Sequence, residues 1–183
     1  MAALAQARVG NVSSARFGVS IPLPDPDGWE LVRERSSFLV LDHAASSSRL
    51  VVRLWRETET MNRDRCERQA RALRDLPPHD ETGGLSRRRV DVPPEFDTVV
   101  EVGFARSSPT EPLTGHVMAF GGWVRRCFAF VYTTTAPAAV PDAERLVGDR
   151  MAVMEARALE GLELRSDMAP VAVDVGSRSG ATQ

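Results

Sequence analysis

The chain has no lysine: all 23 of its basic residues are arginine. The arginines are scattered instead of being gathered into a fork-like anion site, and coding bias in a GC-rich genome accounts for the preference. Long apolar runs are also missing. No stretch approaches the roughly 20 apolar residues of a membrane span, so no transmembrane segment is expected. The opening "MAALAQARVGNVSSAR" has no apolar h-region and does not read as a secretory signal. Two locations stay open: the periplasm or cell envelope, if a leader has been lost, or the cytoplasm. Charge of one sign is not in excess. A formal net charge of −2 gives no reason to expect nucleic acid or an anionic membrane as partner. Catalytic signatures and ligand-binding fingerprints are missing too, so the expectation is no enzyme and no cofactor.

What is present is an ordinary soluble composition, 43% hydrophobic and 26% charged over 183 residues. That length suits one domain with a real core. Residues 1–16 read as a small, polar, flexible segment and 165–183 as a flexible tail, leaving one domain over 17–164. "RFGVSIPLP" reads as a first strand with Phe17, Val19 and Ile21 on one side. "PLPDPDG" reads as a turn, because prolines do not sit inside a ladder. "WELVRER", "SFLVLDHA" and "RLVVRLWRE" are further strands with turn chemistry between them, which favours antiparallel pairing.

The period then changes. Cys66, Ala70 and Leu73 fall at helical spacing, Asn62 is a suitable N-cap, and Pro77 and Pro78 stop the helix after Leu76. Strand patterns resume at "LSRRRVDV", "FDTVVEVGFAR", "LTGHVMAFGG" and "WVRRCFAFVYTTTA", with the Gly121-Gly122 pair as hairpin signal between the last two. A second helix spans about 142–160. Asp142 is its cap, Gly161 is its left-handed end, and Ala143, Val147, Met151, Met154 and Ala158 form its stripe. Met151 and Met154 are expected against the sheet, with Arg150 and Arg157 toward water. The fold class is therefore α+β: an antiparallel β-sheet layered with two main helices, in the order ββββ-α-ββββ-α.

The last strand is apolar on both sides. Phe128, Phe130 and Tyr132 point one way, and Cys127, Ala129, Val131 and Thr133 the other; the small and branched set is the better helix-facing side. Cys66 shares its helical stripe with Ala70 and Leu73, so the chain's two cysteines are both placed inward, toward each other. In an oxidising compartment they would form a disulfide closing a loop of about sixty residues, which would favour the envelope. Two free buried thiols fit the same pattern, since cysteine is among the most buried residue types.

The order of elements resembles the Mog1/PsbP-like fold over residues 17–164. The stretches carrying the resemblance are "FGVSIPLPDPDGWE", "RLVVRLWRE" running into "MNRDRCERQARAL", and "RCFAFVYTTTA" followed by the last helix. The pattern is also similar to uncharacterised bacterial envelope lipoproteins of that fold. The group includes photosystem extrinsic subunits, a Ran-binding nuclear-import factor and bacterial lipoproteins. It shares no catalytic residues, so the resemblance implies none here. This sequence has no cysteine near its N-terminus to take a lipid.

The remaining chemistry-bearing residues are few. His43, His79 and His116 lie in a strand end, a loop and a strand, without the array of three or four ligands that zinc needs. Cys127 as a nucleophile would need a base such as His116 and an accessible position. Arg87, Arg88 and Arg89 form the densest basic cluster, a candidate contact for an anion or an acidic partner. Trp29, Trp55 and Trp123 read as core fillers. Two functions remain. One is a non-enzymatic binding or structural domain of the bacterial cell envelope, a subunit of a larger assembly. The other is a cytoplasmic adaptor for a protein partner such as a small GTPase.

Overall fold

Alternation of apolar residues and turn-forming residues between them build most of the chain into strands. The computed structural model describes residues 9–14, 18–35, 37–72, 83–106 and 108–164. In chain order the elements are β1 (Val9–Ser14), β2 (Val19–Pro24), β3 (Trp29–Arg35), β4 (Phe38–His43) and β5 (Ser48–Arg56), then α1 (Arg63–Arg71). There follow β6 (Gly83–Val90), β7 (Asp97–Ala105), β8 (Leu113–Trp123) and β9 (Arg126–Ala136), then α2 (Ala143–Val153), and finally β10 (Glu163–Leu164). Helix α2 continues in π-helical geometry over Met154–Leu159.

The strands make two antiparallel sheets. Seven form the main sheet in the order β3-β4-β5-β9-β8-β7-β6, and three form a smaller one in the order β1-β2-β10. The main sheet is two meanders, β3–β5 and β6–β9, joined where β5 pairs with β9. Helix α1 lies across β7, β8 and β9 on one face. Helix α2 covers β8 and β9 on the other, with its π-helical end against β2.

Both faces of β9 are thus used. Phe128, Phe130 and Tyr132 join Val147, Met151 and Met154 in the larger core, with Val19, Ile21 and Leu23 of the small sheet. Ala129 and Val131 pack with Ala70 of α1. The expected helix-facing side holds for α1, while α2 takes the aromatic side.

Several local expectations are corrected. Val9–Ser14, read from sequence within a flexible leader, is a strand paired along β2. Pro22 and Pro24 lie inside β2, not in a turn; β10 pairs only with Val19 and Ser20, so beyond them β2 is an edge, where a missing N–H is tolerated. The β8–β9 hairpin turns at Val124-Arg125, with Val124 at φ 53°, because Trp123 pairs with Arg126 and both glycines are strand residues. Asp142 takes the N-cap position with φ 57° but makes no side-chain cap; its carboxylate accepts from Arg145 at 3.1 Å. Gly161 is not left-handed. It is glycine because a Cβ would lie 2.6 Å from both the Arg157 carbonyl and Pro22. Met151 and Met154 are buried and Arg157 is exposed as expected, but Arg150 is half-buried. Its guanidinium donates to the Ser46 and Thr135 carbonyls and the Thr134 hydroxyl. Asn62 caps α1 as expected, accepting from Arg65 N–H at 2.9 Å, whereas Phe17, Leu73, the expected helix end at Leu76 with Pro77 and Pro78, and the tail 165–183 lie outside the described residues.

Candidate functional site

Register turns the α1 side of the main sheet into a map. One row across it reads Arg33, Val40, Val51, Val131, Met118, Glu101 and Arg87, each opposite the next. A parallel row reads Phe38, Arg53, Ala129, Phe120, Val99 and Arg89. Another holds Trp55, Cys127, Gly122 and Asp97.

Cys66 and Cys127 are joined in a disulfide, with Cα atoms 5.3 Å apart. Both are fully buried beside Met61. The segment entering α1 is held to the hairpin tip, where Glu57 N–H donates to the Arg125 carbonyl at 2.8 Å and Met61 N–H to that of Val124 at 2.6 Å. Helix α1 is therefore fixed at its first turn by a covalent bond.

Its last turn is fixed by charge. Arg71 pairs with Glu67 at 2.9 Å and with the fully buried Glu101. Arg87 reaches the same two carboxylates, Glu67 at 2.7 Å and Glu101. Two cations and two anions thus balance in a largely buried cluster, and the Arg71 guanidinium also lies 4.9 Å from the centre of the Phe120 ring. Burial pushes the Glu67 carboxyl up, but hydrogen bonds from Arg87 and Arg71 outweigh it and hold it below its ordinary value. His116 is buried nearby with neither ring nitrogen hydrogen-bonded. Burial, with Arg71 adding repulsion, lowers it to about 4.

The basic run does not act as one cluster. Arg87 faces α1 and is spent on Glu67 and Glu101. Arg88 points to the other face, where it pairs with Glu155 at 2.7 Å and Glu160 at 3.2 Å. Arg89 lies 3.7 Å from Asp97. Alternation along β6 sends adjacent arginines to opposite faces, and each lies beside carboxylates of the fold. His79 lies outside the described residues. No group of three or more potential metal ligands occurs among the described residues.

Helix α1 leaves half of its face bare. Over β3, β4, β5 and the near side of β9 lies a groove of about 700 Å³ floored by Val40, Val51 and Val131, with Phe38 and Val32 at its side and Arg33, Arg49 and Arg53 along it. Arg49 is held by two hydrogen bonds to Asp42, at 2.7 and 2.8 Å, and that contact lowers the Asp42 carboxyl. Arg53 lies over the rings of Phe38, at 5.6 Å, and Trp55, at 5.9 Å. Val32, 52% exposed, carries the apolar surface onto the edge strand β3. Arginine and aromatic side chains over an apolar floor are residue types enriched at protein interfaces. Sequence reading missed the groove, because the alternation of β4 and β5 shows which residues share a face but not which face a helix leaves open.

No family model matches this chain, and no curated protein matches it. It is similar to a solved crystal structure from Bacteroides thetaiotaomicron at 11% identity and a TM-score of 0.45, covering 86% of this chain and 48% of that one. The chain thus spans about half the length of that structure.

Proposed function

We propose that this chain is a protein-binding domain of the bacterial cell envelope, with a Mog1/PsbP-like arrangement of strands and helices, acting as one subunit of a larger assembly. The observation that carries the binding reading is the bare half of the sheet, where Val40 and Val51 floor an arginine-rimmed groove. Apolar side chains there would gain about 25 cal/mol for each Å² removed from water, and Arg53, already ordered on Phe38, would lose little freedom on binding. The Cys66–Cys127 bond supports the envelope, since such bonds persist in oxidising compartments and are rare in the cytoplasm.

The test has two arms. A photo-crosslinking residue at position 51, in cells of the native host, should give a discrete protein adduct that the same residue at exposed Glu144 does not. No adduct from position 51 overturns the binding surface. Alkylation without reductant, after acid quenching of cells and unfolding in denaturant, should leave Cys66 and Cys127 unmodified; modified thiols would move the protein to the cytoplasm and favour an adaptor role there.

A further inference from the structure

On the opposite face of the main sheet, the turn after β2, the turn between β4 and β5, and α2 converge on one histidine. His43 ends β4 and is buried. Its Nε2 lies 3.1 Å from Asp25 Oδ2 and its Nδ1 lies 2.7 Å from Ser46 Oγ. The Ser46 backbone N–H also donates to that Nδ1, at 3.2 Å. A backbone N–H can only donate, so in the neutral ring Nδ1 is the acceptor and the proton sits on Nε2, facing the carboxylate. The Ser46 hydroxyl donates to Ser48 Oγ at 2.8 Å; turned onto Nδ1 instead, it completes the order carboxylate, imidazole, hydroxyl that makes a serine a nucleophile.

The surroundings hold this order in place. Trp29 packs against the imidazole with ring centres 5.1 Å apart. Position 28 must be glycine, since a Cβ there would collide with His43 Nε2 and lie 2.8 Å from Asp25 Oδ2. Asp25 and Ser47 have left-handed backbone, φ 50° and 48°, a strain that folds keep at functional sites more often than elsewhere. Asp25 is exposed and Ser46 half-buried, so the group opens to solvent. Beside it Trp29, Tyr132, Arg150 and Met154 wall a cavity of about 10 Å³, room for a single water. Arg150 donates from Nη1 to the Ser46 carbonyl at 2.9 Å, while its buried Nε has no partner.

We propose that Ser46 is the nucleophile of an acyl-transfer site for esters that approach from solvent, with His43 as general base and Asp25 as positioning residue, an activity beyond the binding role above. Ser46 Oγ attacks the ester carbonyl carbon while His43 Nδ1 takes the hydroxyl proton. Asp25 stabilises the imidazolium, and the Arg150 guanidinium stabilises the negative oxygen of the tetrahedral adduct. The adduct collapses, its bond to the leaving alcohol breaks, and the alcohol takes the proton from Nδ1. Water then attacks the acyl-serine with the same base, releasing the carboxylic acid and restoring Ser46 Oγ–H. The cavity holds no more than a water, so the acyl group and the leaving group both lie on the solvent side of Ser46.

The experiment treats the full chain with a fluorophosphonate and measures turnover of p-nitrophenyl acetate. A phosphonyl adduct on Ser46, located by peptide mass spectrometry, is expected. Turnover should fall roughly 10²-fold or more in Ser46→Ala and His43→Gln. Asp25→Asn should lower kcat with KM unchanged, and Asp25→Glu should restore part of it, a split that a purely structural aspartate would not give. If a variant melts early, the adduct on the unsubstituted chain decides. No adduct on Ser46, or turnover unchanged in a folded Ser46→Ala chain, overturns the proposal.

Discussion

Gly122 on β8 lies directly beneath the first turn of α1: a Cβ at position 122 would fall 2.6 Å from the Arg63 backbone nitrogen. Gly122 is also the register partner of Cys127. The missing side chain lets α1 come down onto the sheet, and Cys66, three residues on from Arg63, meets Cys127. Gly122→Ala would push against backbone atoms, which do not swing aside as a side-chain tip does. The expected loss is about 1–3 kcal/mol, or about 2–4 °C of melting temperature per kcal/mol. Gly148→Ala in α2 is the control. Its Cβ meets only Phe104, at 3.9 Å, and thermal melts should show no loss, or a gain of up to about 1 kcal/mol.

Removing the disulfide should destabilise by the entropy of the loop it closes. With Cys66 and Cys127 61 residues apart, a Cys66→Ser/Cys127→Ser pair should lose about 4 kcal/mol. Urea titration with and without reductant measures it, and the serine pair should match the reduced chain.

Glu101→Gln should be costly although it removes only one charge. It leaves Arg71 and Arg87 with Glu67 alone in a buried setting, and breaking one side of a buried pair costs about 3–5 kcal/mol. Glu59→Gln removes an exposed partner of Arg65 and should leave the denaturation midpoint nearly unchanged. Chemical denaturation of the two variants side by side gives the contrast.

His116 should make the fold acid-sensitive. Its value falls from 6.5 in the unfolded chain to about 4 in the fold. Between those values the unfolded state binds a proton that the folded state refuses. Stability therefore falls as pH drops from about 6.5 toward 4, by roughly 3 kcal/mol in full. Glu67 adds its own loss only below its unfolded value of 4.5, so the interval above 4.5 isolates the histidine. His116→Gln should flatten the curve there, read from urea midpoints at each pH.

Much of this arrangement was legible from residue spacing. The alternation of β3, β4, β5, β8 and β9, the helical stripe of α1 and the inward cysteines are local signals, each needing only a few neighbours along the chain. What spacing hid was contact between distant segments. Gly121 and Gly122 look like a turn to any local reading; they are strand residues because α1 and Phe96 press on them. The run Arg87 to Arg89 looks like one basic patch until alternation and five carboxylates divide it. Asp25, His43 and Ser46 carry no motif, since a turn, a strand end and a 3₁₀ turn bring them together. Strand β1 was lost because its polar sequence takes its pairing from β2.

The seam between the two meanders also sets an order of events in synthesis. The outer edge of β5, ending at Arg56, finds its mate only in β9, which begins at Arg126. The 69 residues between them must be made first, on the order of 3–14 s at elongation rates of about 5–20 residues per second. For that interval the first meander carries an unmated edge with Val51 and Val52 at its centre, a surface that invites pairing with other chains. The cysteine that seals the seam arrives with Arg126, as the second residue of β9. The nascent chain thus has reason to be shielded by a chaperone until its last long strand is complete.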